Sequence, residues 1–176
     1  MTVLESDRMI FRPHELADLD AYCEMEADPA VRRFVGGKPR TREAAERKFR
    51  NVHLNAADTR LGLMATIFKP EDRYIGYCGL YPHFDRAGEG IEGEAALGFT
   101  LARAYWGHGL ATEAGLAFVR FGFEQLALNR VVTSVEVGNA ASMRVLEKLG
   151  FVIAETEIGV RSFYKLELRR LDGSWR

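Results

Sequence analysis

The N-terminal part of the chain places its apolar residues first at strand spacing and then at helical spacing. The run Met9 to Phe11 predicts a short strand that Pro13 stops, because proline has no N–H to donate to a neighbouring strand. A helix is predicted next, and Pro29 ends it. The apolar residues that recur at helical spacing within it are Leu16, Leu19, Tyr22, Cys23 and Met25.

A second helix is predicted after the breaker Gly36 to Pro39. Thr41 stands where its side chain can accept a hydrogen bond from the first turn, so it is the expected N-cap. One face of this helix is predicted to be apolar, and its members are Ala45, Phe49, Val52 and Ala56.

From Leu61 onward the pattern changes to the alternation of strands. Two strands, 61–68 and 74–80, flank the turn Pro70-Glu71-Asp72 and predict a hairpin. A glycine-rich loop over 85–93 then leads into a third strand over 94–101. This part of the chain therefore predicts three consecutive strands.

The C-terminal half alternates helices and strands. Its predicted elements are a helix over 110–126, a strand over 131–137, a helix over 139–149, and strands over 151–158 and 162–168. Strands first and then alternating helices and strands are typical of an α/β or α+β domain on a mixed sheet. The length suits one globular domain, so residues 1–176 are expected to form a single domain.

Composition and charge narrow the class of protein. Apolar residues make up 47% and charged residues 28% of the chain, which are ordinary values for a soluble folded protein. The net charge of −1 argues against a nucleic-acid binder, which normally carries a basic excess. No apolar run approaches the roughly 20 residues of a membrane span. Glu5 and Asp7 stand where a signal peptide is cationic, so a cytoplasmic protein is expected.

Cysteine and histidine spacing predicts neither a disulfide nor a metal site. Cys23 and Cys78 are far apart in sequence and are expected to be two buried thiols in a reducing compartment. The four histidines are scattered without the spacing of a zinc site, so no metal is expected.

The segment Trp106 to Ala114 carries two glycines, Gly107 and Gly109, between a predicted strand and a predicted helix. A helix N-terminus leaves backbone N–H groups without partners, and glycines let a phosphate approach them closely. An ordinary tight turn is the alternative interpretation, because two glycines are enough to form one. A dinucleotide fingerprint would require glycine or alanine at Thr112, and the chain contains no Gly-Lys-Ser/Thr tripeptide, so neither of these phosphate-binding loops fits.

The same segment resembles the acetyl-coenzyme-A (acetyl-CoA) loop of the GNAT acetyltransferases, whose motif is Arg/Gln-x-x-Gly-x-Gly/Ala. Gly109 and Ala111 fill its last two positions. Trp106 replaces the leading Arg or Gln, as in the branch of ribosomal-protein N-acetyltransferases of RimJ/RimL type. Further segments that resemble this branch are Arg8 to Pro13 with Asp28-Pro29, Ile75-Gly76 with Gly79-Leu80, and Asn139 to Ser142 with Glu147 to Phe151.

The resemblance spans Arg8 to about Leu168 and implies a GNAT-like fold, with a mixed, mostly antiparallel twisted sheet that splays at the acetyl-CoA site. It implies a backbone N–H near Phe99 to Leu101 that polarises the acetyl carbonyl. It also implies that Asn139 reaches the pantetheine arm and that Ser142 lies near the thioester sulfur. The implied acetyl-CoA-binding residues are Phe99, Thr100, Leu101, Trp106, Gly107, His108, Gly109, Leu110, Ala111, Thr112, Asn139 and Ser142.

The second motif also has a purely structural interpretation. Asn139 is a good N-cap, and Gly150 suits the left-handed position just past a helix end. Phe151 would then pack on Leu146, as in a Schellman motif. This interpretation does not require Ser142, which lies one turn into the helix.

Two residues are candidates for acid and base chemistry. Glu94 is the candidate general base, acting through water, because strand alternation places it on the same face as Ala96, where the branch usually carries an acid. A solvated glutamate beside Glu89 and Glu92 is the alternative. Ser142 is the candidate general acid, since the tyrosine that many family members carry is replaced here by Leu146.

The expected function is acetyl-CoA-dependent N-acetylation of a primary amine by direct attack within a ternary complex. By resemblance to the branch, the α-amine at a protein N-terminus is favoured over a small-molecule amine. The alternative is a CoA-binding sensor or interaction module that has lost catalysis. The protein is expected to be a monomer or a homodimer.

Overall fold

The computed structural model describes residues 4–54 and 61–170. Eight strands form one open sheet in the spatial order β1-β2-β3-β4-β5-β6-β8-β7. All neighbouring strands pair antiparallel except β5 and β6, which are parallel. The strands are β1 (Leu4–Glu5), β2 (Met9–Arg12), β3 (Gly62–Phe68), β4 (Arg73–Phe84), β5 (Gly90–Leu101), β6 (Arg130–Glu136), β7 (Val152–Glu157) and β8 (Phe163–Arg169).

Helices flank this sheet, which confirms the predicted mixed, mostly antiparallel α/β architecture. The α-helices are α1 (Leu19–Ala27), α2 (Pro29–Arg32), α3 (Arg42–Lys48), α4 (Leu110–Glu124) and α5 (Ala140–Lys148). Short 3₁₀ turns cover Leu16–Asp18, Lys69–Glu71 and Arg103–Tyr105, and a π-helical segment covers Phe49–Leu54. None of the helices in the described ranges is long and apolar enough to cross a membrane.

The sheet separates two hydrophobic cores. Met9 and Phe11 belong to the core beneath α4 and α5, whereas Ile10 packs on the core beneath α1 and α3. Successive side chains of a strand point to opposite faces, so these two cores lie on opposite sides of the sheet. Phe118 of α4 packs edge-on against Phe11 with ring centroids 4.8 Å apart. The sheet is therefore covered on both faces.

The core beneath α1 and α3 contains two buried histidines. The rings of His14 and His53 lie 4.5 Å apart, between the rings of Tyr22, Phe49, Tyr74 and Tyr77. His14 Nε2 donates to the backbone oxygen of Leu63 at 3.1 Å. Burial is the main cause that lowers the pKa of His14 to about 4 and the pKa of His53 to about 3. Both imidazoles are therefore neutral at physiological pH.

The structure adds one short helix to the prediction and shows that one predicted boundary and one predicted helix face are wrong. Pro29 ends the first helix as predicted, but it also begins α2. Proline is well tolerated at the first helical position. The side chain of Asp28 caps α2 by accepting a hydrogen bond from Ala30 N at 2.8 Å. The loop before β5 is shorter than predicted, since β5 already begins at Gly90.

Thr41 caps α3 as predicted, by accepting from Ala44 N at 3.3 Å, and Ala45 and Phe49 are buried. Val52 is 54% exposed, and His53 is buried instead. A π-helix has more residues per turn than an α-helix, so after Phe49 the buried face falls one residue later than the α-helical spacing predicts. Ala56 lies outside the described residues.

Candidate active site

A gap opens in the sheet between β5 and β6. The two strands pair only from Glu94–Arg130 to Ala96–Val132, and β6 then continues along β8 alone. Thr133 Oγ1 donates to the backbone oxygen of Leu97 at 2.9 Å and closes the start of the gap. Alternate residues of a strand direct their backbone N–H and C=O groups to the same side, so those of Phe99 and Leu101 face the gap as those of Leu97 do. The gap thus exposes β5 backbone groups beyond Ala96.

The glycine loop follows the open end of β5. Gly107 and Gly109 have φ values of 80° and 76°, in the left-handed region that glycine adopts without strain. Among the described residues, a Cβ at Gly107 would meet nothing within 4 Å, and one at Gly109 would meet only Arg8 Nη2, at 3.7 Å. No side chain in residues 4–54 and 61–170 caps α4 at Gly109. The first N–H groups of a 15-residue helix therefore face an open cradle.

Trp106 fixes this loop to the end of the gap. Its indole Nε1 donates to the backbone oxygen of Leu101 at 2.7 Å, and 45% of the residue remains exposed. A carbonyl at the open edge of β5 thereby gains a partner. The side chain that replaces the Arg or Gln of the family motif thus holds the loop against the strand.

The start of α5 lies at the same edge of the sheet as the glycine loop, because β5 and β6 are parallel and both end there. Asn139 Oδ1 accepts from Ser142 N at 3.2 Å, which confirms the predicted cap. Ser142 Oγ has no hydrogen-bond partner in the described part of the chain, and the residue is half-buried. The Asn139 amide nitrogen and the Ser142 hydroxyl are therefore available for a ligand.

The end of α5 is a Schellman motif, as predicted. Phe151 N donates to Leu146 O at 3.0 Å and Gly150 N to Glu147 O at 3.0 Å, with Gly150 at φ 87°. Leu149 packs against Gly115 of α4, where an added Cβ would lie 2.6 Å from Leu149 Cδ1. This close contact holds α5 against α4.

An ion pair from the N-terminal strands reaches the same loop, and sequence reasoning missed it as part of the site. Glu113 in the first turn of α4 accepts from Arg8 N, Arg8 Nε and Ser6 Oγ at 2.7–2.8 Å. Arg8 Nη1 also donates to His108 O at 3.0 Å. Burial acts to raise the pKa of Glu113, but these hydrogen bonds outweigh it and lower the pKa. The residues are 105 positions apart, so no local pattern links them.

Glu94 lies at the joined end of the gap. Arg130 Nη2 donates to it at 2.7 Å and His83 Nδ1 at 2.9 Å, and 15% of its side chain is exposed. Burial acts to raise the pKa of Glu94, but the bonds from Arg130 and His83 prevail and lower it. Phe99 is five residues further on, roughly 16 Å along an extended strand. These partners favour a role for Glu94 in joining β5 to β6, and its role as a base stays a prediction.

The open cradle at α4 suits a phosphorylated, elongated ligand such as acetyl-CoA. Uncapped N–H groups and the helix dipole favour a phosphate at Gly107 to Thr112, and the exposed edge of β5 leads away from it toward Phe99. Within residues 4–54 and 61–170, no three His, Cys, Asp or Glu side chains are grouped so as to hold a metal ion.

Comparison with known proteins shows the family of this chain. Residues 8–152 match the acetyltransferase (GNAT) domain family. The chain is 30% identical over 173 residues to the uncharacterized N-acetyltransferase p20 of Bacillus licheniformis, covering 98% of this chain and 93% of that protein. An acetyltransferase (GNAT family) from Bacillus anthracis has a similar structure, with a TM-score of 0.82 at 20% identity over 96% of this chain and 98% of that chain.

A spermidine N-acetyltransferase from Vibrio cholerae, solved in complex with CoA and spermine, is also similar in fold. Its TM-score is 0.74 at 15% identity, over 92% of this chain and 95% of that chain. The family model and the N-acetyltransferase relative identify the chain as an acyltransferase. The chain belongs to the GNAT family of N-acetyltransferases, which use acetyl-CoA, and this confirms the family, the fold and the cofactor predicted from the sequence.

Proposed function

We propose that this acetyltransferase acetylates a primary amine within a ternary complex and that a protein N-terminal α-amine is its preferred acceptor. The observation that carries the proposal is the gap between β5 and β6, which leads from the glycine loop along the exposed backbone of Phe99. Acetyl-CoA supplies the acetyl group as a thioester when bound. The residues proposed to bind it are those predicted from the sequence, from Phe99 to Leu101, from Trp106 to Thr112, and Asn139 with Ser142.

The proposed chemistry gives one role to the backbone of β5 and one to the start of α5. The backbone N–H of Phe99 is free of the β5–β6 ladder and would polarise the acetyl carbonyl. The half-buried hydroxyl of Ser142 would give a proton to the leaving sulfur. A protein α-amine has a pKa near 7.7–8.0, so a fair fraction is neutral at pH 7 without a strong base. Positioning the amine would therefore account for much of the rate.

The preference for a protein N-terminus rests on the resemblance of Arg8 to Pro13 and of Trp106 to Ala114 to the RimJ/RimL branch. A small-molecule amine is the other candidate, since the Vibrio cholerae neighbour is named for spermidine. The two buried free thiols, Cys23 and Cys78, support a reducing cytoplasmic location. Acetylation of a panel of peptides and polyamines, read by mass spectrometry, identifies the acceptor.

A CoA-binding module without catalysis is the second candidate. Two observations favour this candidate. The carboxylate of Glu94 is paired with Arg130, and Leu146, at the position of the family tyrosine, is fully buried in the core. Both candidates need the same glycine loop. Release of free CoA thiol in the presence of an amine separates them, because only the enzyme produces it.

Acetyl-CoA should raise the melting temperature of the protein, and Gly109→Val should abolish the rise. A ligand that binds only the folded state at about 100 Kd stabilises it by about 2.7 kcal/mol, or a few degrees for a chain of this size. The valine would fill the open cradle that a phosphate must enter. Thermal unfolding with and without millimolar acetyl-CoA measures both effects.

Gly88→Val is the matched control for backbone strain. Gly88 also has a positive φ, 87°, and open space around it, but it lies in the turn between β4 and β5. It should lose stability as Gly109→Val does and keep the acetyl-CoA shift. A wild-type transition that millimolar acetyl-CoA leaves unmoved would contradict the proposed function.

The hypothesis that Glu94 is the base predicts a specific pH profile for Glu94→Gln. The variant should lose most of its activity near neutral pH and recover part of it at higher pH, where the amine deprotonates unaided. Glu167→Gln is the control, because Glu167 is the other carboxylate partner of Arg130, at 2.9 Å. If the two variants have the same kcat profile between about pH 6.5 and 9, Glu94 only supports Arg130 and is not the base.

A further inference from the structure

The cofactor loop of this chain has no lysine or arginine of its own. Residues Trp106 to Thr112 contain only His108 as a basic side chain, and Trp106 stands where the family motif has Arg or Gln. A loop that receives a pyrophosphate gains from a cation, and arginine suits this because its planar guanidinium can bind protein groups on one side and still donate to a phosphate on the other. The N-terminal strands bring an arginine, Arg8, to the loop.

Arg8 is held beside the loop by two hydrogen bonds of its guanidinium. Its Nε is bound to Glu113 Oε2 at 2.7 Å and its Nη1 to the backbone oxygen of His108 at 3.0 Å. Its own N–H is bound to the same carboxylate, and Ser6 Oγ completes that carboxylate's set of donors. Glu113 thus fixes the stem and the inner side of the guanidinium.

The outer side of the guanidinium faces the cradle. Arg8 Nη2 is 3.7 Å from the position that a Cβ on Gly109 would occupy, and no other group in the described part of the chain lies within 4 Å of that position. The Arg8 side chain is 42% exposed, so a ligand can reach it. Within the described residues, Nη2 makes no hydrogen bond.

We propose that Arg8 is a cofactor-binding residue whose Nη2 donates to a phosphate of acetyl-CoA at the glycine loop. This inference rests on the proposed function and adds a residue to it. Because Glu113 and His108 already hold the guanidinium, little side-chain entropy is lost on binding. The N-terminal segment thereby supplies the charge that the loop lacks.

Binding of CoA, measured by titration calorimetry, tests this role. A charge-assisted hydrogen bond is worth roughly 10- to 100-fold in affinity, so Arg8→Gln should raise the Kd for CoA by about that factor. Arg8→Lys keeps a charge but not the fork and should lose less. The salt dependence of Kd should also be weaker in Arg8→Gln, because one charge contact with phosphate is gone. Lys69→Gln is the matched control, since Lys69 holds the same strands through Glu5 and Ser6 O.

S-acetyl-pantetheine, a donor without phosphates, separates phosphate binding from support of the loop. Arg8→Gln should use it with the wild-type KM, whereas its KM for acetyl-CoA should rise. Equal losses with both donors would show that Arg8 only supports the loop and would overturn the inference, as would an unchanged Kd for CoA. A wild-type protein that binds no CoA would instead refute the proposed function.

Discussion

Acidification below pH 6.5 should destabilise this protein steeply, through the two buried histidines. The pKa of each is lower in the folded chain, about 4 for His14 and about 3 for His53, than the 6.5 of an unfolded histidine. The unfolded chain therefore binds protons first as the pH falls. The contribution of these two histidines to the free energy of unfolding is fully present above pH 6.5. It is lost progressively as the pH falls to the folded pKa values.

The loss is large because both groups act in the same pH range. Each pKa unit corresponds to about 1.36 kcal/mol, so each histidine removes on the order of 3 kcal/mol by pH 4. Domains of this kind have only about 5–15 kcal/mol of stability in total. Asp18 acts to raise the pKa of His14, and Lys48 to lower that of His53, but burial is the larger cause for both.

Urea unfolding at a series of pH values measures this effect. His53→Phe keeps a flat ring between Tyr22 and Tyr77 and removes one titrating group, so its free energy of unfolding should fall less between pH 6.5 and 4. His108→Gln removes an exposed histidine and should keep the wild-type slope. An unchanged slope in His53→Phe would contradict the assignment.

Ser142→Ala should lower kcat about 100-fold while the Kd for acetyl-CoA changes only a few-fold. General acid–base groups contribute about 10²–10⁴ in rate, and a thiolate leaves fairly well unaided, so the lower end is expected. The backbone N–H of Ser142, not its hydroxyl, binds Asn139 Oδ1. The substitution therefore leaves the cap of α5 in place.

Pre-steady-state kinetics with a fixed amine separates kcat from binding. Ser142→Thr keeps a hydroxyl and should retain most of the rate. If Ser142→Ala changes KM alone, Ser142 contacts the cofactor but does not protonate the leaving group. If neither constant changes, Ser142 belongs only to α5.

Features that depend on a few neighbouring residues could be predicted from the sequence. Asn139, Gly150 and Phe151 follow the rules for helix ends, and the structure confirms all three. Thr41 caps α3 for the same reason. The π-helical segment was not predictable, because Val52 fits an α-helical apolar stripe and only the packing of His53 among the aromatic rings shows which residue is inside.

The hydrogen-bond partners of the candidate site residues could not be predicted from the sequence. The sequence predicts that Glu94 begins a strand near other glutamates. It does not show that Arg130, 36 residues later, and His83 donate hydrogen bonds to the Glu94 carboxylate. Arg8 was part of a motif but had no role, since its partner Glu113 follows 105 residues later. Contacts of this kind depend on which strands are neighbours, and hydrophobic periodicity does not contain that information.

The order of the last two strands has a consequence for biosynthesis. Each strand from β2 to β6 pairs with the one made just before it, so the sheet can grow as the chain leaves the ribosome. β8 breaks this order, because it is made last and inserts between β6 and β7. Without β8, β7 has no strand partner in the described sheet, and β6 keeps only its short pairing with β5. A nascent chain stalled before Phe163 therefore carries an incomplete half-sheet, exposed to chaperones and proteases until the last strand is released.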